Sequence, residues 1–194
     1  MMRIITGRAR GVKLDTLEGD ATRPTSERVK GAIFSSLQFE LGGRRVLDLF
    51  AGSGQMGLEA LSRGAVSCTF ADASPEAMAI IKENAKRTGF FGDCRFLISD
   101  YRNVIRKAAG RDEYDLIFID PPYAMEAAGD AVLRILEAGL AARGALIVTE
   151  AGRADSLPEL PAGLVLRKAA RYSISYVTIY EWRGEGEGTD AREL

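Results

Sequence analysis

A chain of 194 residues with 46% hydrophobic content is about one domain long and has ample material for a core. Its formal charge of −1 gives the whole chain no electrostatic footprint for nucleic acid, so any such surface must be local. The absence of histidine excludes Ser-His and Cys-His nucleophilic sites and every histidine-containing metal site. The two cysteines, Cys68 and Cys94, form no CxxC pair, so no zinc site or disulfide framework is expected and a reducing cytoplasm fits. No apolar stretch approaches the ~20 residues of a membrane span, and the start "MMRIITGRARG" lacks the apolar region of a signal peptide.

In chain order, "RIITG" and "GVKL" flank "RAR" as a small hairpin, and "TSERVKGAIFSSLQFEL" predicts a capped amphipathic helix. Residues 3–13 hold Arg3, Arg8, Arg10 and Lys13 without an acid, followed by Arg23, Arg28 and Lys30, a cluster able to neutralise phosphates. If the hairpin positions alternate, these side chains share one solvent-facing side. Arg23 precedes a proline-fixed bend and a helix cap at Thr25 or Ser26, which places it to close over a ligand site.

From residue 45, short apolar runs alternate with helix-period segments, the pattern of βαβ units around a mostly parallel sheet. Strands are expected at "RVLDLF", "SCTFAD", "CRFLIS", "YDLIFID" and "ALIVTE", and helices at "GLEALSRG", "SPEAMAIIKENAKRTG", "YRNVIRKAAG" and "AMEAAGDAVLRILEAGLAARG". Ser74, Pro75 and Glu76 read as N-cap, N1 and first-turn acid. The β-rich "LVLRKAARYSISYVTIYEW" has no helical segment and predicts an antiparallel hairpin, and the tail from residue 184 is polar, glycine-rich and expected to be disordered.

The stretch "VLDLFAGSGQMGLEA" runs a strand through a glycine turn into a helix, with Gly52 and Gly54 free to adopt positive φ and admit a ligand to the backbone. Its spacing is neither GxGxxG nor a P-loop, so a pyrophosphate cradle is not favoured. Asp48, Asp72, Asp100 and Asp120 stand at the ends of the first four strands and converge on the edge where open α/β sheets bind ligands. Asp72 and Asp100 have a simpler alternative as helix caps, and Asp48 as a support for the glycine loop.

At "FIDPPYAM", Pro121 and Pro122 make a stiff turn that presents the Asp120 carboxylate and the Pro121 carbonyl as acceptors beside the ring of Tyr123. Two fixed acceptors beside an aromatic face suit a planar ring with an exocyclic amine. Holding the amine hydrogens lets the nitrogen pyramidalise and aim its lone pair at an electrophile, which is catalysis by positioning and electrostatics.

Together, "LDLFAGSGQMGLEALSRGA", the acids closing the second and third strands, and "DPPY" resemble S-adenosylmethionine-dependent amino-methyltransferases. With "MRIITGRARGVKL" and "RPTSERVKGAIFSSL", the chain resembles the RsmD family over about residues 2–182. The resemblance implies a Rossmann-like class I methyltransferase fold, with a mostly parallel seven-stranded sheet, a C-terminal antiparallel hairpin and a small N-terminal hairpin and helix. It implies an RNA-facing extension at 1–40, a methyltransferase domain at 41–183 and a tail at 184–194. The implied reaction is direct in-line methyl transfer to the N2 amine of a guanine in small-subunit ribosomal RNA, possible substrates being naked RNA or an assembling subunit, without metal or membrane.

Carried over by position, Ala51, Gly52, Ser53 and Gly54 hold the methionine part of the cofactor, Asp72 its ribose hydroxyls and Asp100 its adenine amine. Asp48, Phe50, Ala73 and Tyr101 stand beside them as further cofactor residues. Asp120, Pro121, Pro122 and Tyr123 form the catalytic turn, and Arg8, Arg10, Lys13 and Arg23 face RNA. Many relatives carry a second acid where this chain has Ser74. An adenine-N6 DNA methyltransferase remains an alternative on "DPPY" alone, although the chain leaves no room for a target-recognition domain. A non-catalytic RNA module would predict a degraded acceptor turn. Methylation of pyrimidine C5 through cysteine is disfavoured, because both cysteines lie in apolar strands where a structural thiol is expected.

Overall fold

The computed structural model describes residues 2–17, 27–122, 125, 127–152, 160–172 and 175–184. Arg23, Thr25, Ser26, Tyr123 and the tail from residue 185 lie outside the described residues. Helix α1 (Glu27–Ser36) precedes strand β1 (Arg45–Asp48), helix α2 (Gln55–Ser62), strand β2 (Ser67–Asp72), helix α3 (Pro75–Thr88) and strand β3 (Cys94–Ile98). Helix α4 (Tyr101–Ala108), strand β4 (Tyr114–Ile119), helix α5 (Ala128–Glu137) and strands β5 (Ala141–Ala151), β6 (Leu164–Tyr172) and β7 (Ser175–Trp182) complete the fold.

The strands form a seven-stranded sheet in the order β3-β2-β1-β4-β5-β7-β6. The first five run parallel, and β7 lies antiparallel to both β5 and β6, so the expected C-terminal hairpin closes the sheet with mixed pairing. The helix expected over residues 124–144 ends at Glu137, because β5 begins at Ala141. Gly139, with φ +65°, turns the chain there, and Tyr114 N–H donates to the Leu140 carbonyl at 2.8 Å. Helical spacing in an alanine-rich run cannot by itself distinguish a helix end from a fully buried strand start.

Alternate residues of the parallel strands enter two apolar layers. Val46, Phe70, Leu116 and Phe118 pack with α1, α2, α3 and Met2, Ile4, Ala9 and Leu14 of the N-terminal segment. Leu47, Ala71, Ile117 and Ile119 pack with α4 and α5 on the other face. Burial on both faces explains why these strands read as continuous hydrophobic runs. Gly57 lets α2 approach the sheet, since a Cβ there would lie 2.4 Å from the Phe70 ring and 2.5 Å from Cys68 Sγ.

The N-terminal hairpin contains the Arg3–Lys13 bridge and lies along α2. A buried polar cluster fastens it. Glu59 Oε2 accepts from Ile5 N–H at 2.8 Å, and Oε1 from Thr6 N–H at 3.0 Å. Lys30 Nζ lies 3.3 Å from Glu59 and donates to the Arg3 carbonyl at 2.7 Å, both charged side chains being fully buried. Lys30 is therefore removed from the expected basic RNA surface.

Candidate active site

Parallel register brings the strand-end acids into order. Asp48 is opposite Phe70 on one side and Phe118 on the other. Beyond β1, Leu49 N–H donates to the Phe118 carbonyl at 3.1 Å and Ala51 N–H to the Ala71 carbonyl at 3.0 Å, so the chain leaves between the ends of β2, which closes at Asp72, and β4, which Asp120 follows. Two strand spacings separate those acids' backbones by about 9–10 Å, and the glycine loop emerges between them. β2 pairs Asp72 with Ile98, so Asp100 lies at the same sheet edge, one strand further out.

Gly52 and Gly54 have φ +54° and +77°, meeting the expectation of a left-handed loop. Gly54 is the N-cap of α2 and has no side chain to satisfy the helix's first N–H groups. Asp48 supplies that acceptor from β1: its Oδ2 takes the Gly57 N–H at 3.0 Å. Burial pushes the Asp48 carboxyl up to about 7, opposed by the Gly57 N–H and aided by the charge of Asp72. Asp48 thus supports the loop, one of its two expected roles.

Asp72 is half-buried, and its two carboxylate oxygens accept Gly52 N–H at 2.9 Å and Ser74 N–H at 2.8 Å. It is not the α3 cap. Ser74 is, with its hydroxyl accepting from Ala77 N–H at 3.1 Å and Pro75 following it. Serine where many relatives carry a second acid therefore has a local structural role. Each Asp72 oxygen retains a lone pair for a further donor.

Asp100 does cap a helix: its Oδ1 accepts from Arg102 N–H at 3.0 Å and Asn103 N–H at 3.1 Å at the start of α4. These bonds, with the Asn103 bond first, hold its carboxyl below the usual range while it remains exposed. Phe50 and Tyr101 meet at 5.2 Å between ring centroids, and Tyr101 Oη donates to Asp130 Oδ2 at 2.5 Å. Ala73 is exposed beside Asp72. Cys68 is buried and its thiol pushed up; burial likewise takes Cys94 to about 12, leaving no reactive thiolate at either.

At the end of β4, Asp120 is half-buried, Pro121 buried and Pro122 exposed. The basic residues divide. Arg8 N–H donates to the Ser62 carbonyl at 2.8 Å and its guanidinium lies 5.0 Å from the Phe90 ring centre, at the end of α2 remote from the glycine loop. Arg10 is in the same set of turns, whereas Lys13 is on the returning arm opposite Arg3. All three are exposed, but the turns at residues 6–11 break the alternation expected to align them.

The site also contains a residue that motif reading missed. Asn84, fully buried on α3, connects the Ser53 carbonyl to the N-terminal segment. Its helical position alone gave no signal, since a buried asparagine is recognised only by what it meets.

The site can accept an adenosyl-methionine group. An added Cβ at Gly52 would meet nothing within 4 Å, leaving the loop backbone approachable, and Asp72 stands beside it with acceptor capacity. Among the described residues, no cluster of metal-ligating side chains occurs.

The parallel sheet, glycine loop and acids together define a Rossmann-like class I methyltransferase. A family model described as "Conserved hypothetical protein 95" matches residues 2–181, and the chain belongs to that family, the RsmD family its motifs resemble. It is 36% identical over 184 residues to a Bacillus subtilis protein named "Putative rRNA methyltransferase YlbH", covering 94% of this chain and 100% of the relative. It is 30% identical to "Ribosomal RNA small subunit methyltransferase D" of Escherichia coli K12, covering 96% and 92% of the two chains. The solved structure "Putative methyltransferase yhhF from Escherichia coli" superposes with a TM-score of 0.83 at 30% identity, covering 94% and 98%.

Proposed function

We propose that this protein transfers a methyl group from S-adenosylmethionine to the N2 amine of a guanine in small-subunit ribosomal RNA. The observation carrying this reading is that the glycine loop leaves β1 between Asp72, at the end of β2, and Asp120, directly after β4. The family relationship supports the RNA substrate over the adenine-N6 DNA alternative.

When bound, the cofactor supplies an electrophilic methyl group on a sulfonium. Asp72 accepts from the ribose hydroxyls while its existing bonds to Gly52 and Ser74 hold its carboxylate in place. Asp100 accepts from the adenine amine, and the Gly52–Gly54 backbone lies against the methionine part. Asp48, Phe50, Ala51, Ala73 and Tyr101 shape that surface. On the other side of the loop, Asp120 and the Pro121 carbonyl accept from the target amine, Pro122 stiffens the turn and Tyr123 stacks on the base. The acceptors are held before the substrate arrives, so little reorganisation opposes transfer.

Residues 1–40 form the RNA-facing extension, in which Arg8, Arg10, Lys13 and Arg23 neutralise phosphates, and residues 41–183 carry the cofactor and catalytic groups. The protein acts in the cytoplasm on ribosomal RNA, as naked RNA or within an assembling subunit; among the described residues no helix is long and apolar enough to cross a membrane. Nucleoside analysis of ribosomal RNA from cells with and without the protein tests the reading. Loss of N2-methylguanosine in its absence supports it; loss of N6-methyladenosine instead, or an unchanged profile, overturns it.

A further inference from the structure

Asn84 donates through Nδ2 to the carbonyls of Ser53 at 3.0 Å and Asp15 at 2.9 Å, and accepts at Oδ1 from Asp15 N–H at 2.8 Å. Two carbonyl partners on one terminus and an N–H on the other define the amide's orientation. Its side chain is fully buried, where a polar group without partners is costly. Ser53 belongs to the glycine loop, whereas Asp15 ends the N-terminal segment. A second contact joins the same pair of segments: Ser53 Oγ donates to Met2 Sδ at 3.3 Å. Thus both arms of the N-terminal hairpin reach the glycine loop, although no cofactor motif includes either arm.

We propose that Asn84 is a positioning residue for the cofactor, fastening the N-terminal segment to the Ser53 carbonyl so that the segment and the glycine loop behave as one unit. The proposal rests on the cofactor reading above. Cofactor binding then stiffens residues 2–17 as well as the loop, and loosening the segment weakens cofactor binding. Asn84 addresses only the backbone of Asp15. The Asp15 side chain instead pairs with Arg87 at the surface, at 2.5 Å, which separates the latch from an ordinary surface ion pair.

Isothermal calorimetry with S-adenosylhomocysteine, combined with hydrogen–deuterium exchange, tests this on the full chain. Asn84→Ala should weaken binding by about tenfold or more, the consequence of losing a buried hydrogen-bonding group. Asn84→Leu, which keeps roughly the shape without burying a charge and loses all three bonds, should weaken it similarly, and supplies the measurement if the alanine variant fails to fold. Asp15→Ala should stay within about twofold of wild type, because the latch bonds are to backbone. Ligand should slow exchange across residues 2–17 in wild type but not in folded Asn84 variants. A lowered thermal midpoint with unchanged affinity, or wild-type protection confined to residues 50–54 and 72–74, overturns the latch. Absence of wild-type binding overturns the cofactor reading itself, and the latch with it.

Discussion

The two halves of the ligand edge are built differently. On the cofactor side, the glycine loop is held by side chains from three other elements: Asp48 at α2, Asp72 at Gly52 and Asn84 at Ser53. On the target-base side, Asp120 stands at the head of a turn shaped by two consecutive prolines, with Pro122 exposed. Tertiary bonds fix the loop of the first half, and in the second half covalent restriction by the prolines adds to whatever holds the Asp120 side chain. Damage far from the edge should therefore reach the cofactor half through those bonds, and changes in the proline turn should reach the base half.

The largest expected effect probes the support under the cofactor half. Lys30→Met leaves Glu59 with Arg63 at 2.8 Å but removes its buried lysine and the donor to the Arg3 carbonyl, and should cost about 2–4 kcal/mol of folding stability, read by chemical denaturation. A loss below about 1 kcal/mol would mean that the N-terminal segment is not held by this cluster.

Asp48 exposes the tertiary dependence of the cofactor half through pH. Its native carboxyl is raised from 3.8 to about 7, chiefly by burial. Between those values the unfolded state releases a proton that the native state retains, so stability falls as pH rises through the window and levels above it. The change should be a few kcal/mol, at about 1.36 kcal/mol per pKa unit. Asp48→Asn should flatten this dependence in urea titrations from about pH 4 to 8; an equally steep variant would assign the effect to another group.

Asp120→Ala tests the base half directly. It should lower single-turnover methyl transfer by roughly 10²-fold or more while leaving cofactor affinity nearly intact. Transfer at near the wild-type rate would remove the positioning mechanism. Asp72→Ala should do the reverse, weakening cofactor binding by roughly tenfold or more in calorimetry. Unchanged affinity would reduce Asp72 to a backbone tether for Gly52 and Ser74.

The smallest effect belongs outside both halves. Replacing Arg8, Arg10 and Lys13 together by alanine should reduce the log–log salt slope of RNA binding by about 0.7–0.9 for each phosphate that is no longer neutralised. Cofactor affinity should change by no more than about twofold, since the Asn84 and Met2 contacts to the loop remain and the Arg8 side chain holds the segment only at the far end of α2, through the Leu61 carbonyl. An unchanged slope with impaired cofactor binding would move the RNA surface elsewhere and make these side chains part of the cofactor half.

Local pattern in the chain was enough for the succession of strands and helices, the mixed C-terminal pairing, the glycine turn and the arrival of four strand-end acids at one edge. These follow from two- and 3.6-residue periodicity, glycine's backbone freedom and proline's restriction, all properties of short windows. Which acid does what emerged only from packing: Asp48 supports α2, Asp72 ties the loop to Ser74, and Asp100 caps α4. Packing also buried Lys30, divided Arg8 and Arg10 from Lys13, and joined Asn84 to two segments distant in sequence. No short stretch of sequence contains these outcomes, because burial of a charge or amide is tolerated only where the fold brings distant partners within hydrogen-bond reach.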